Sequence, residues 1–365
     1  MNSSSLRRIA LPAVAALTVG LTLTACGDKS AANAGDGGSG GGSLTGGGST
    51  AQAVAQDAWR AAYQKANSGT SITYEQVGSG TGVSNFNSGT YAFAGTDAYL
   101  DSEAMAAAKK RCNGQDAIEV PDYISPIAIA YNLKGVSQLN LSADVIADIF
   151  SGKVTKWNDP EIAAENQGAN LPDTTITPLH RSDGSGTTWN FTDYLSKASG
   201  GAWSSAANEN WPTSIKVGQG FEGTSGVVGG LQQTDGAVAY IDNSAVPSGI
   251  GAASIKVGSD YNAPSADGAA QVAEASKPIS GRPANDVALD IARTSTAKGA
   301  YPLLLTSYLV ACPSYSDSAQ GTLVKNHLTY VLSSDGQQVG SSAAKSAALP
   351  SSLAQQATQI VSSIK

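Results

Sequence analysis

The chain is 365 residues long and carries 22 Lys and Arg against 29 Asp and Glu, a formal charge of −7, with 41% hydrophobic residues. This acidic balance disfavours nucleic acid as a partner, and any anionic ligand has to be held by a locally built site, since no diffuse basic surface exists to attract it. Three cysteines and two histidines give no zinc-type ligand cluster, so neither a metal nor a cofactor is expected.

Arg7 and Arg8 precede an apolar run from Ile9 to about Leu23, and Leu23-Thr24-Ala25-Cys26-Gly27 follows. This is the plan of a secretory signal, and the run is shorter than the roughly 20 residues a spanning helix needs. The small residues before the cysteine resemble a bacterial lipobox. Residues 1–25 are therefore read as the signal peptide and Cys26 as the lipid-modified first residue, the alternative being an ordinary signal with an incidental cysteine. The leader holds two arginines and no acid, so the mature chain has 20 basic and 29 acidic side chains and a charge of −9. Residues 26–43, rich in Gly, Ser, Ala and Asn, read as a flexible linker. With Cys26 committed, Cys112 and Cys312 are an even pair in a compartment where disulfides persist, and they are expected to be bonded; the alternative is two thiols.

About 320 residues follow the linker, enough for two lobes with a sizeable core. Ala51 to Ala66 carries Val54, Ala58, Ala61 and Ala62 at helical spacing, with Asn67 and Gly69 as stop signals. Ser71 to Val77 and Tyr91 to Gly95 read as strands, as does Ile127 to Tyr131 after Pro126. Ala143 to Phe150 is helical, Trp189 to Leu195 continues a glycine-rich turn, and Ala237 to Ile241 is a short strand. The alternation predicts an α/β fold with mostly parallel sheets, whose ligands sit at the carboxyl ends of the strands.

Three segments share a local design: Leu44-Thr45-Gly46-Gly47-Gly48-Ser49-Thr50 ahead of the first helix, Gly78-Ser79-Gly80-Thr81-Gly82 after a strand, and Gly184-Ser185-Gly186-Thr187 running into a helix. Glycines let backbone approach a ligand, Ser and Thr offer hydroxyls, and a helix start presents unpaired N–H groups with partial positive charge. Singly, each is commonly only an N-cap and a tight loop. Arg181 adds one fixed cation, and Asp183 is placed to hold its guanidinium in one orientation, a fork suited to an oxyanion. Asp97, at the end of a strand, reads from its local sequence as a turn or N-cap carboxylate.

The turn at Thr45 to Thr50, the Gly78-Ser79-Gly80 loop, Phe93-Ala94-Gly95-Thr96-Asp97, the run Ile149 to Pro160, the Arg181 to Thr187 tract and Gly236 to Ile241 occur in that order. Together they resemble the phosphate-binding proteins of bacterial high-affinity phosphate ABC importers, from about Leu44 to the C-terminus. The resemblance implies a two-lobed fold of the periplasmic-binding-protein type, with residues 44–130 and 304–365 in lobe one, 131–303 in lobe two and the ligand in the hinge cleft. Cys112 and Cys312 then fall in one lobe. It implies phosphate contacts from Thr50, Ala51, Ser79, Arg181, Ser185, Gly186 and Thr187, with Asp97 accepting a hydrogen bond from the ligand. Ala51-Gln52 stands where an aromatic residue and proline are more usual, so the side wall of the cleft is expected to differ.

The function expected from the resemblance is capture of inorganic phosphate and delivery to permease subunits, by a protein lipid-anchored on the outer face of the cytoplasmic membrane. Another protonated oxyanion such as arsenate is the nearest alternative. A serine hydrolase built on Ser185 with Asp183 and His180 is disfavoured, because the spacing is not Gly-x-Ser-x-Gly and only two histidines could serve as base. No Gly-x-x-x-x-Gly-Lys-Ser/Thr loop supports nucleotide hydrolysis.

Overall fold

A computed structural model describes residues 41–365. The signal peptide, Cys26 and most of the linker lie outside the described residues. The body begins with strand β1 (Gly42–Gly48), so Gly42 and Ser43, which composition reads as linker, are already paired with β2 (Thr70–Gln76). The three glycines of β1 are strand residues, and sterics explain them. A Cβ on Gly46 would enter the Phe93 ring, and one on Gly47 would stand 2.7 Å from both the Tyr91 ring and the Glu75 carbonyl oxygen.

Helix α1 (Ala53–Ala66) starts two residues later than expected, and its buried face is Ala55, Gln56, Trp59 and Tyr63. The stripe expected from Val54, Ala58, Ala61 and Ala62 faces outward, with Val54 38% exposed. Two large aromatics outweigh four small residues in fixing the helix rotation, because the apolar area they bury is far greater. Helix α2 (Ser79–Ser88) begins inside the Gly78–Gly82 segment, and β3 (Phe93–Thr96) ends at Asp97. Helix α3 (Ser102–Arg111) is capped by the Asp101 carboxylate, which accepts from the Ala104 N–H at 2.8 Å, and closes on Lys109, Lys110 and Arg111, charges that suit the two ends of the helix dipole.

Strand β4 (Ile118–Tyr131) is buried at every position. The chain continues through β5 (Asn140–Leu141), α4 (Ala143–Ser151), α5 (Pro160–Glu165), β6 (Thr177–Arg181), α6 (Gly186–Ala198), β7 (Gln219–Phe221), α7 (Gly223–Gln233) and β8 (Ala237–Asp242). Then come β9 (Gly251–Ala252), β10 (Ser254–Val257), β11 (Asp260–Asn262), α8 (Ala266–Ala275) and the short strands β12 (Lys277–Pro278) and β13 (Leu289–Asp290). Strand β14 (Leu304–Ala311) precedes three C-terminal helices, α9 (Ser318–Leu332), α10 (Ser334–Ala344) and α11 (Ser351–Ser362).

The main sheet runs β2-β1-β3-β14-β4-β8-β6-β7, with β9 also pairing β4. Its outer strands are parallel, as the alternating pattern predicts, whereas β14 and β4 run antiparallel to their neighbours. Strand β4 joins two half-sheets. Residues 118–126 pair with β14, and Ile127–Tyr131 pair with β8. The exchange of partners falls at Pro126, which has no N–H to give a ladder. A second proline, Pro121, adjoins a register shift that leaves Asp122 as the extra residue of a bulge. The segment between β12 and β13 lies against the start of β4: Glu119 N–H donates to the Asn285 carbonyl at 3.1 Å, and Val287 N–H to the Glu119 carbonyl at 2.8 Å. Arg282 pairs there with the buried Glu119 at 2.6 Å.

Cys112, at the end of α3, and Cys312, just past β14, are both fully buried and form a disulfide with a Cα–Cα distance of 5.2 Å. It closes a loop with a sequence separation of 200 residues. Constraint of the unfolded chain then makes the bond worth about 2–5 kcal/mol. Replacing both cysteines with serine should lower the urea-unfolding free energy by that amount with the fold retained; an unchanged unfolding midpoint would show that the bond contributes nothing.

Candidate functional site

The three glycine-containing segments meet at the seam between the half-sheets. Gly78 lies at φ +86°, where only glycine is unstrained, and a Cβ there would stand 2.6 Å from Asp183 Oδ2 and 2.9 Å from the Gly184 carbonyl oxygen. A Cβ on Gly186 would stand 2.7 Å from the Asp97 Cβ. Gly80 N–H donates to the Gly184 carbonyl at 3.2 Å, and Asn190 Nδ2 on α6 donates to the Asp97 carbonyl at 2.6 Å. Thr50 Oγ1 lies 2.8 Å from Thr224 Oγ1 and accepts from the Thr224 N–H at 3.2 Å. Thr50, Ala51, Ser79, Asp97, Arg181, Ser185, Gly186 and Thr187 are all buried around this point.

Arg181 ends β6 and is only 3% exposed. Its Nε donates to Asp183 Oδ1 at 2.7 Å, and its Nη2 pairs with Asp183 Oδ2, so the carboxylate grips one edge of the guanidinium. Burial works against the Asp183 charge, but the guanidinium outweighs it and holds the carboxyl below its usual range. Gly223 N–H adds a bond to Asp183 Oδ1 at 3.1 Å. The Arg181 main-chain N–H donates to the Tyr240 hydroxyl at 3.2 Å, which fixes the base of the side chain.

Helix α6 starts at Gly186, with Ser185 as its N-cap; Ser185 Oγ accepts from Thr188 N–H at 3.2 Å. The Ser185 N–H is spent on the Glu209 carbonyl at 3.0 Å, so the backbone donors at this helix start are the Gly186 and Thr187 amides, which precede the first intrahelical bond. The Ala51 N–H is likewise engaged, donating to Ser49 Oγ at 3.1 Å. The backbone contacts expected of Ser185 and Ala51 are therefore satisfied within the protein, because each amide lies beside a better-placed local acceptor.

Asp97 is 2% exposed. Burial pushes its carboxyl up to about 6, against the hydroxyl hydrogen bonds from Ser49 Oγ (2.6 Å to Oδ2) and Ser307 Oγ (2.7 Å to Oδ1) and the charge of Arg181. It remains mainly ionised at neutral pH. Its own N–H donates to Ser79 Oγ at 3.3 Å. Ser49, Ser307, Gln52 and Thr224 are site residues that the sequence reading missed. Ser49 and Thr224 stand next to recognised motif residues, but nothing local marks Ser307, which reaches Asp97 across 210 positions.

His180 is not beside Ser185. Its ring stacks on Trp211 with centroids 4.5 Å apart, and its Nδ1 lies 2.9 Å from the Arg181 carbonyl oxygen. Burial lowers its pKa. Of the described residues, no group of three His, Cys, Asp or Glu is placed to hold a metal ion. A cavity of about 580 Å³ lined by Tyr99, Asp101, Trp189 and Glu209 adjoins the site at Gly80 but does not reach Arg181. The buried residues at the seam thus present hydroxyls, two helix-start amides and one guanidinium edge, together with the Asp97 carboxylate as an acceptor.

The Asp97 shift sets the sign of a stability effect in ligand-free protein. The folded value lies above the unfolded one, so between about pH 4 and pH 6 the folded state holds the extra proton, and stability is lost as pH rises through that window. Asp97→Asn should therefore raise the unfolding temperature at pH 7, by up to about 3 kcal/mol of stability, and do little at pH 4. A thermal-unfolding series from pH 4 to 7 in which variant and wild type run parallel would remove Asp97 as the source.

A family model for the PBP superfamily domain matches residues 31–335. The phosphate-binding protein PstS2 of Mycobacterium bovis is 39% identical over 330 residues, covering 86% of this chain and 88% of the relative. PstS3 of the same species is 37% identical over 338 residues, covering 87% and 88%. Among solved structures, a phosphate-binding protein from Stenotrophomonas maltophilia superposes with a TM-score of 0.69 at 21% identity, over 87% of this chain and 93% of that one. PfluDING, a high-affinity periplasmic phosphate-binding protein solved with phosphate, gives 0.69 at 21% over 86% and 92%. The fold is that of these two-lobed proteins, and the chain belongs to the PBP superfamily, in the branch that contains the mycobacterial PstS phosphate-binding proteins.

Proposed function

We propose that this protein captures inorganic phosphate outside the cytoplasmic membrane and delivers it to an ABC importer. The observation that carries the reading is the pairing, at one buried point, of Arg181 and the α6 helix start with an ionised carboxylate, Asp97. Phosphate near neutral pH keeps at least one proton, which Asp97 can accept in a charge-assisted hydrogen bond. Fully ionised sulfate would set acceptor against acceptor in a desolvated cleft. An unpaired buried charge costs several kcal/mol, enough for strong rejection.

In this reading Arg181 and the Gly186 and Thr187 amides hold the phosphate oxygens, with the hydroxyls of Thr50, Ser79, Ser185 and Thr187 completing the donor set. Asp183 aims the guanidinium. Ala51 lines the wall, its amide being turned to Ser49. The cleft lies between lobe one, residues 44–130 and 304–365, and lobe two, residues 131–303, and closes around the ligand by a hinge at the β4 seam. Cys26 carries the lipid that keeps the protein at the outer face of the membrane, within reach of the permease subunits. A binder is favoured over a hydrolase because Ser185 serves as a helix N-cap and His180 is stacked on Trp211.

Isothermal titration of ligand-stripped protein should give binding with phosphate and none with sulfate at pH 7.5; absence of heat with phosphate would overturn the reading. Arsenate, also protonated at this pH, should compete with phosphate. Arg181→Ala should weaken phosphate binding at least about tenfold, since a charge-assisted contact is worth ~1.5–3 kcal/mol. Asp97→Asn should erode the preference for phosphate over sulfate in competition, and unchanged selectivity would remove Asp97 from that role. Mass spectrometry of membrane-extracted protein should find Cys26 acylated.

A further inference from the structure

A hydroxyl has one hydrogen, so the two serines beside Asp97 support its charge only if both hydrogens point at it. The surroundings fix that direction. Ser307 Oγ accepts from Gln52 Nε2, and Ser49 Oγ accepts from the main-chain N–H groups of Ala51 at 3.1 Å and Gln52 at 3.4 Å. An N–H can only donate, so each serine oxygen is an acceptor on that side and its hydrogen is left for the carboxylate.

The Gln52 amide is itself oriented unambiguously. Its Nε2 also faces the Tyr308 carbonyl at 3.2 Å, which can only accept, and its Oε1 accepts from Gln56 Nε2 at 2.9 Å. The side chain is fully buried, so no water competes for these bonds. The step from Gln52 to Ser307 therefore has one direction, and the Ser307 hydrogen is left for a carboxylate, Asp97 Oδ1 at 2.7 Å, with Asp122 as the competing acceptor.

We infer that Gln52 is a positioning residue for anion discrimination: its side-chain amide turns the Ser307 hydroxyl, and its main-chain amide helps turn the Ser49 hydroxyl, so that Asp97 is kept as a pure acceptor toward the ligand. The inference rests on the reading of Asp97 as acceptor of the phosphate proton. The Ser307 hydroxyl stands between Asp97 and Asp122, a fully buried carboxyl that it already helps to stabilise and whose Oδ2 has no partner among the described residues, and loss of the Gln52 amide would release it to turn further toward Asp122. Asp97 would then lose one of its two hydroxyl donors.

The charged and titratable groups that face this carboxylate are Arg181 from β6, Asp122 and Tyr123 from β4, Asp242 at the end of β8, Tyr74 from β2, and Glu209. Of these, only Arg181 favours the Asp97 charge. The hydroxyl donors matter correspondingly more.

Gln52→Met keeps the length of the side chain and removes the donor. The ratio of phosphate to sulfate affinity, measured from pH 5 to 8.5, should fall with decreasing pH about one unit earlier than in wild type. At pH 7 that is a roughly twofold smaller ratio and at pH 5 a roughly tenfold smaller one, while at pH 8.5 the two proteins agree. Ser307→Ala should give the same displacement, and the double variant no more than Ser307→Ala alone. Loss of both anions in equal proportion at every pH, or superimposed profiles, would overturn the inference. If Gln52→Met does not fold, Ser307→Thr must keep the wild-type profile while Ser307→Ala shifts it, and identical behaviour of those two would refute the relay.

The titration of the Asp97 carboxyl, followed by carbon NMR in ligand-free protein, separates the relay from the phosphate reading. Gln52→Met should move it up by about one unit. An unmoved titration overturns the relay even where phosphate binds. A moved titration in a protein that binds no phosphate leaves the relay standing and removes the function assigned to it.

Discussion

Asp97 is a carboxylate at 2% exposure with no cation bonded to it, and the rest of the site is organised around keeping it charged. The nearby guanidinium favours that charge through space but makes no bond to it, because Arg181 is gripped by Asp183. The pair contributes no net charge, so before any ligand arrives Arg181, Asp183 and Asp97 sum to one negative charge. An anion drawn into such a place is held by oriented dipoles more than by Coulomb attraction. The dipoles are the first amides of α6 and a ring of hydroxyls, which are prepaid in direction and do not have to reorganise when the ligand arrives. In the proposed reading, selectivity comes from the same arrangement. A site with surplus positive charge would accept any oxyanion, whereas one poised at net negative charge accepts only an anion that can return a hydrogen bond to Asp97.

The sheet explains why these groups meet. Strand β4 serves two half-sheets and changes partner at Pro126, a residue with no N–H to contribute. Four residues earlier, Asp122 is left as the extra residue of the bulge beside Pro121. Directly across the ladder, Ser307 is paired with Tyr123 and turned toward Asp97. The seam thus combines an interrupted ladder with several buried polar side chains. The buried Arg293 ties the same region together: its Nη2 donates to Asn190 Oδ1 at 2.6 Å and its Nη1 to the Leu304 carbonyl at 2.6 Å, while Asn190 in turn holds the Asp97 carbonyl. Helix α6, strand β14 and the end of β3 are therefore linked by one chain of bonds.

Much of this was legible in the sequence, and the limits have a physical pattern. Regular elements with strong periodicity, such as α4 and β8, were found within a residue of their ends. The helix start at Ser185 was recognisable because capping and glycine-rich turns are local chemistry, whereas the helix that opens at Ser79, with no side-chain cap, read only as a loop after a strand. The glycines at 46–48 were misleading. They read as a turn, yet they form a strand whose missing side chains make room for Phe93 and Tyr91 from β3 and its approach, a reason that only tertiary packing supplies. Gln52 stood out only as a departure in the cleft wall and Ser307 not at all, because their contact joins positions 255 apart and neither neighbourhood reveals it. The rotation of α1 was missed for a related reason: spacing alone does not say that Trp59 and Tyr63 outrank four smaller residues.

The hydroxyls of the site share one device that no single motif reveals. Ser49 Oγ accepts from the Ala51 N–H at 3.1 Å, Thr50 Oγ1 from Thr224 at 3.2 Å, Ser79 Oγ from Asp97 at 3.3 Å, and Ser185 Oγ from Thr188 at 3.2 Å. A neutral hydroxyl can both donate and accept, so an unoriented ring of serines and threonines would tolerate ligands of either character. A main-chain N–H on one side of each oxygen occupies one of its two lone pairs and turns the hydrogen away from that side. The Ser49 hydrogen goes to Asp97, so in the proposed reading Thr50, Ser79 and Ser185 are the hydroxyls biased toward donating to a ligand, and Asp97 is the acceptor to which the ligand returns its own hydrogen.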